Sequence, residues 1–203
     1  ISLLTTNDKI DFNKYDIYYM GSGSKENKLI VINDLLKYQN DIELSIKNNK
    51  YFIITGNALD LFGKYIEEEN GNKIKCLDIF KYHTKEIDPE ESIVGEQIFK
   101  SNLINENIIG FQNRQNIMIN EDSNNLFAVI NGTGYEKGNN EEGCLFNNFY
   151  GTYLLGPLLI RNPYFTDYLI EKILKENKLP YKANHNSFDY IAYNEFINNK
   201  KED

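Results

Sequence analysis

The chain has 203 residues, 41% of them hydrophobic and 26% charged, with a formal net charge of −8. A chain of this length buries roughly 70% of its unfolded surface and needs neither disulfides nor metal to fold. Two cysteines (Cys76, Cys144) and two histidines (His83, His185) exclude a disulfide scaffold, a cysteine-rich zinc module and a multi-histidine metal centre. They leave room for one nucleophile and one base. The acidic balance argues against nucleic acid and anionic membrane surfaces as partners, since both are bound through Lys and Arg. No run approaches the ~18 apolar residues of a membrane span. The opening Ile1-Ser2-Leu3-Leu4-Thr5-Thr6 lacks the basic start of a signal peptide. The expectation is a cytoplasmic chain, with no membrane insertion and no metal or cofactor.

Taken in order, Tyr15–Met20 is a short apolar and aromatic run that stops at Gly21-Ser22-Gly23-Ser24, a buried strand ending in a glycine loop. Leu29, Ile32, Leu35 and Leu36 follow at helical intervals, and Ile42, Leu44 and Ile46 continue a second helix to Asn49. Tyr51–Thr55 is a second apolar strand. It breaks at Gly56-Asn57, and a helix is predicted to begin at Ala58. Strand, glycine turn and helix, repeated, is the grammar of a parallel α/β sheet.

The second half is more β-like. Glu67–Asn72 is a polar turn between two strand-like runs, and 108–119 and 126–130 read as further strands. The polar loop Gly138-Asn139-Asn140-Glu141-Glu142-Gly143 precedes the apolar segment 149–156. Pro163 is placed to open a helix at its first turn, Phe188–Ile197 forms the last helix, and the tail from Asn198 is expected to fray. No internal repeat or linker is visible.

Three segments bear on chemistry. At Thr55-Gly56-Asn57-Ala58 a strand turns sharply into a helix, which exposes one residue at the carboxyl edge of the sheet beside backbone N–H groups able to hold an oxyanion. Nucleophilic enzymes place Ser or Cys at such a corner; here it carries Gly56. The loop Gly21–Ser24 permits close approach of a ligand to the backbone, but it is neither a P-loop nor a dinucleotide fingerprint. The third segment, Gly151-Thr152-Tyr153-Leu154-Leu155-Gly156-Pro157-Leu158-Leu159, reads in isolation as core.

In this order and spacing the three segments resemble the cobyric acid synthase-like class I glutamine amidotransferases, closest to the glutaminase subunits of lipid II isoglutaminyl synthases. Gly21-Ser22-Gly23-Ser24-Lys25 stands where the family has Gly-Gly-Gly-Gln-Asp, and Asp34-Leu35-Leu36 preserves its Asp-Leu-Leu. Gly56-Asn57-Ala58-Leu59-Asp60-Leu61-Phe62-Gly63 stands in place of Cys-Gly-Gly-Tyr-Gln-Leu-Leu-Gly. Gly110-Phe111-Gln112-Asn113-Arg114 is similar to Gly-Phe-Glu-Asn-His, and Gly138–Gly143 to the family's Gly-Asn-Asn-Gly-Glu-Asp-Gly loop. The last segment matches Gly-Thr-Tyr-Leu-His-Gly-Pro-Leu-Leu except that its His is Leu155, and Arg161-Asn162-Pro163 follows.

The resemblance implies an α/β, flavodoxin-like sheet, mostly parallel, flanked by helices and with added β-strands in the second half. It implies one domain over 1–203, shortened at its front by a first strand and helix. In the family a Cys thiolate attacks the glutamine amide and a His moves the proton. Those positions fall on Gly56 and Leu155, so the resemblance implies a site without intact catalytic residues. Oxyanion and substrate-loop equivalents would be Gly21, Ser22, Gly23 and Asn57; pocket candidates would be Thr55, Asp60, Gln112, Asn113, Arg114 and Tyr153. A Mur-ligase-like synthetase is the implied partner. The expected role is a non-catalytic scaffold or regulator in cell-wall precursor amidation. The alternatives are an enzyme with relocated machinery in the same cleft, using Thr55, Asn57, Asp60 or Arg114, and a fragment of a larger amidotransferase assembly.

Overall fold

The computed structural model describes residues 1–200. Its central sheet has the order β1-β2-β12-β11, built from β1 (Ile17–Met20), β2 (Tyr51–Thr55), β12 (Phe149–Thr152) and β11 (Cys144–Phe146). The first three run parallel and β11 antiparallel to β12. All of β2 is buried, as its unbroken Tyr-Phe-Ile-Ile-Thr run requires of a strand covered on both faces.

Alternation along β2 divides the core. Phe52 and Ile54 face α1 (Lys25–Leu35) and α2 (Gln39–Lys47), where Ile32, Ile42 and Ile46 complete the packing. Tyr51 and Ile53 face the opposite way, with Tyr150, Phe165 and Leu169. The last two belong to α4 (Pro163–Glu176), which opens with Pro163 in its first turn. A short α3 (Leu158–Arg161) precedes it, and α5 (Phe188–Asn199) ends the described chain.

Local chemistry sets the joints. Ser24 caps α1 by accepting the Asn27 N–H at 3.2 Å. Helix α2 ends in a Schellman motif: Asn49 adopts φ 62°, Lys50 N–H reaches Ser45 O at 3.0 Å and Asn49 N–H reaches Ile46 O at 3.1 Å. That turn delivers the chain into β2.

Two further four-stranded sheets hold the added strands. One has the order β4-β3-β5-β8, from β3 (Tyr65–Glu67), β4 (Lys73–Lys75), β5 (Tyr82–Glu86) and β8 (Asn116–Asn120). The other has the order β10-β9-β6-β7, from β6 (Ile93–Lys100), β7 (Asn107–Arg114), β9 (Phe127–Asn131) and β10 (Glu141–Glu142). Apart from the β3–β5 pair, both are antiparallel. The stretch predicted as strand over 108–119 breaks at Gln115, where the chain leaves one sheet for the other.

Three expectations need correction. The strand before Gly21 is not buried: β1 is the edge strand of its sheet, with Ile17 and Tyr19 exposed. No α-helix begins at Ala58: Gly56–Phe62 is a 3₁₀ helix. The nine residues 56–64 must close between the end of β2 and the start of β3, and Gly63 stops the seven-residue run, so the tighter, short-range helix fits. The tail does not fray at Asn198, because α5 continues through Asn199; Lys201, Glu202 and Asp203 lie outside the described residues.

Asn162 holds the helical layer to β7. Its amide accepts from Ile109 N–H at 2.7 Å and donates to Ile109 O and Leu158 O, each at 2.8 Å, while 1% exposed. It thereby serves β7 as a strand neighbour would. Replacing Asn162 with Ala strands a buried N–H and buried carbonyls; urea denaturation is expected to show a loss of about 3 kcal/mol.

Candidate active site

Parallel pairing puts the ends of β1, β2 and β12 at one edge of the central sheet. The loops that leave them therefore converge at the carboxyl edge, where α/β sheets bind ligands. They are the glycine loop 21–24, the elbow at Gly56 and the turn 153–157.

Gly56 has φ 61°, a conformation that favours glycine. Its N–H donates to Leu154 O at 3.1 Å, and Leu155 N–H donates to Phe111 O at 2.9 Å. The asparagine after the elbow clamps the first loop: Asn57 Oδ1 accepts from Gly23 N–H at 3.0 Å, and Asn57 Nδ2 donates to Gly23 O at 2.8 Å. Thr55 is buried and its Oγ1 lies 3.2 Å from the Tyr19 hydroxyl. A Cβ built on Gly56 would meet Leu155 Cδ2 at 2.9 Å. The two positions that the resemblance assigns to nucleophile and base thus stand against each other.

The other pocket candidates form a buried network beneath this edge. Asp60, with no exposed surface, receives Lys28 Nζ at 2.8 Å, Asn116 Nδ2 at 2.7 Å and the Tyr153 hydroxyl at 3.0 Å. The Tyr153 ring carries the Arg114 guanidinium 4.1 Å from its centroid. Arg114 spends its donors on Gln112 Oε1 (3.0 Å) and on the carbonyls of Asn116 (2.6 Å), Tyr135 (3.2 Å) and Gly134. Burial holds its pKa below the usual arginine range. Gln112 is buried with it, whereas Asn113, one residue on, takes the opposite face of β7 and is exposed.

Sequence reasoning singled out neither Lys28, Asn116 nor Glu142. Glu142 is fully buried and accepts Tyr153 N–H at 2.6 Å and the Thr152 hydroxyl at 2.9 Å. It holds from below the turn that carries Leu155. Burial pushes its pKa up to about 7, against the pull of those hydrogen bonds and of Arg114. The only signal in the sequence was position, a second glutamate in a loop that otherwise reads as solvated.

Nothing at the elbow supplies a thiolate or an imidazole. Cys76 and Cys144 are buried and their thiols are pushed up by desolvation, Cys76 to about 12. Such thiols are inert at neutral pH. His83 stacks on Tyr65 with centroids 4.6 Å apart, and His185 lies 3.5 Å from Asp167. Among the described residues no group of three His, Cys, Asp or Glu side chains is placed to hold a metal ion, and no helix is long and apolar enough to cross a membrane. An open depression of about 330 Å³ lies beside the start of α1, where Lys25 bridges Glu68 (3.2 Å) and Glu86 (2.8 Å).

Two measurements probe the network. Removing Asp60 by substitution with Ala leaves Lys28 and the Tyr153 hydroxyl without their partner, and a loss of about 3–5 kcal/mol is expected in chemical denaturation. Glu142 gives a pH signature. Its folded pKa, about 7, lies above the ordinary 4.5, so the folded state binds the proton more tightly. Its contribution is complete below about pH 4.5 and is lost as pH rises through 7, a change of about 3 kcal/mol. Glu142→Gln, which keeps both hydrogen bonds, is expected to flatten the stability profile across that window.

Comparison with known proteins agrees with the fold. A family model for the CobB/CobQ-like glutamine amidotransferase domain matches residues 2–163. The chain is 26% identical over 177 residues to the lipid II isoglutaminyl synthase (glutamine-hydrolyzing) subunit GatD of Streptococcus pneumoniae, covering 87% of this chain and 68% of that protein. It is also 26% identical over 173 residues to the same subunit of Staphylococcus aureus, covering 85% and 70%. Among solved structures, PurLQS from Thermotoga maritima shares the fold with TM-score 0.60 at 12% identity, over 87% of this chain and 85% of that one. A glutamine amidotransferase from the same organism superposes with TM-score 0.50 at 8% identity, over 97% and 76%. The chain belongs to the CobB/CobQ-like glutamine amidotransferase family.

Proposed function

We propose that this chain is a non-catalytic glutaminase-type subunit. In this reading it serves as scaffold or regulator for a Mur-ligase-like synthetase that amidates a cell-wall precursor. The observation that carries the reading is the pairing of Gly56 and Leu155 across the elbow. A glycine has no side chain to attack an amide. A leucine cannot accept or return a proton, so neither half of acyl transfer has an agent. The cell-wall assignment is drawn from the two relatives, each a subunit of a lipid II isoglutaminyl synthase.

Relocated chemistry is the weaker reading. Thr55 has its hydroxyl against Tyr19, Asp60 is committed to three donors and Arg114 to four acceptors. Asp60 and Arg114 cannot act at the elbow without breaking a buried bond, and Asn57 is engaged at both ends of its amide by Gly23. The cytoplasm is the compartment this role calls for, and the whole of 1–203 is read as one domain.

The test is ammonia release from glutamine by the purified chain, alone and with a Mur-ligase-like synthetase from the same genome. No turnover above buffer is expected in either case. Turnover that vanishes on substitution of Thr55 or Asn57 would establish relocated chemistry instead. In the complex, deletion of this chain is expected to lower yield or stability of the ligase rather than its intrinsic ammonia-dependent rate.

A further inference from the structure

The elbow lacks more than a reactive side chain, because the space for one is already taken. A Cβ built on Gly56 would lie 1.7 Å from Ser22 Oγ and 3.0 Å from Ser22 Cβ. Turning the serine hydroxyl away relieves the first overlap and leaves the second. Leu155 Cδ2, at 2.9 Å, is the end of a flexible side chain and can shift; the Ser22 Cβ moves only with its backbone.

That backbone is fixed on both sides. The next residue, Gly23, is gripped at its N–H and its carbonyl by the Asn57 amide. Ser24 then caps α1. On the other flank, a Cβ on Gly21 would sit 3.3 Å from the Tyr19 hydroxyl, which itself contacts Thr55. Ser22 is exposed, so the loop can retreat only outward, and that pulls on the paired Asn57–Gly23 hydrogen bonds.

We infer that Ser22 is a plug: it occupies the seat that a side chain at position 56 would take, and loop 21–24 and the elbow are interlocked so that position 56 accepts no side chain while Ser22 is present. Ser22 and Gly56 are then a matched pair, and each is tolerated because of the other. The steric interlock stands on this geometry alone.

A double-mutant cycle on the full chain tests it. Gly56→Ala adds the smallest possible side chain and the same backbone strain in any background. Melting temperatures are compared for the native chain, Gly56→Ala, Ser22→Gly and the double variant. The drop caused by Gly56→Ala is expected to be markedly larger with Ser22 present than with Ser22→Gly, since adjacent groups in conflict do not behave additively. A Gly56→Ala chain that fails to fold alone but folds in the Ser22→Gly background supports the plug in stronger form. Equal drops in the two backgrounds overturn it, and so does a double variant that does not fold. Glutamine hydrolysis by the native chain would overturn the non-catalytic reading, while the interlock is decided by the cycle.

Discussion

A carboxylate removed from water must be repaid by donors, and Asp60 draws its three from separate parts of the chain. Lys28 comes from α1, Asn116 from β8 and Tyr153 from the turn after β12. Asp60 itself lies in the 3₁₀ helix that follows the elbow. The loops of the carboxyl edge are therefore held against one another from below. Arg114 extends the same network. It sits over Tyr153 and gathers carbonyls at the point where the chain crosses between the two β-rich sheets.

That arrangement lets the edge keep its shape whichever side chains stand at the elbow. A side chain in the left-handed conformation of Gly56 costs of order 1–3 kcal/mol, a strain that proteins keep where function demands it. Glycine removes the cost. Leu155 is positioned by its backbone, through Phe111 O, and by the packing of Leu154 against Gly110, where an added Cβ would lie 2.7 Å from the leucine. Neither constraint depends on which side chain stands at 155. The scaffold is thus separable from the chemistry of the elbow.

The strand β2 was legible because a strand buried on both faces must be apolar throughout, as Tyr51–Thr55 is; β1 has the same apolar and aromatic look at the sheet edge, with Ile17 and Tyr19 exposed. Their loops were legible because glycine marks the places where backbone turns sharply or approaches closely. The 3₁₀ form of 56–62 was not legible: Ala-Leu-Asp-Leu-Phe suits either helix, and the short span to β3 decides between them. Lys28 reads as an ordinary surface lysine in Lys-Glu-Asn-Lys-Leu-Ile, yet its helix faces a buried acid. Glu142 hides in an Asn- and Glu-rich loop whose composition signals solvent. The partners of buried charges are chosen by tertiary contacts, and local pattern carries no trace of them. For the same reason Gln112 and Arg114 share the buried side of β7, and Asn113 between them does not.

The buried glutamate also bears on what the edge can present to a partner. Glu142 binds the Thr152 hydroxyl and the Tyr153 N–H, while Tyr153 reaches Asp60 and stacks under Arg114. Movement of the 152–155 turn would break bonds in a medium of low dielectric, where each is costly to lose. The turn is thereby held in place beside the elbow, and loop 21–24 is tied to the elbow through Asn57. A rigid surface binds a partner with little ordering cost. Under the proposed non-catalytic role, the buried residues beneath Gly56 and Leu155 would keep the edge in shape for a partner with no nucleophile to position.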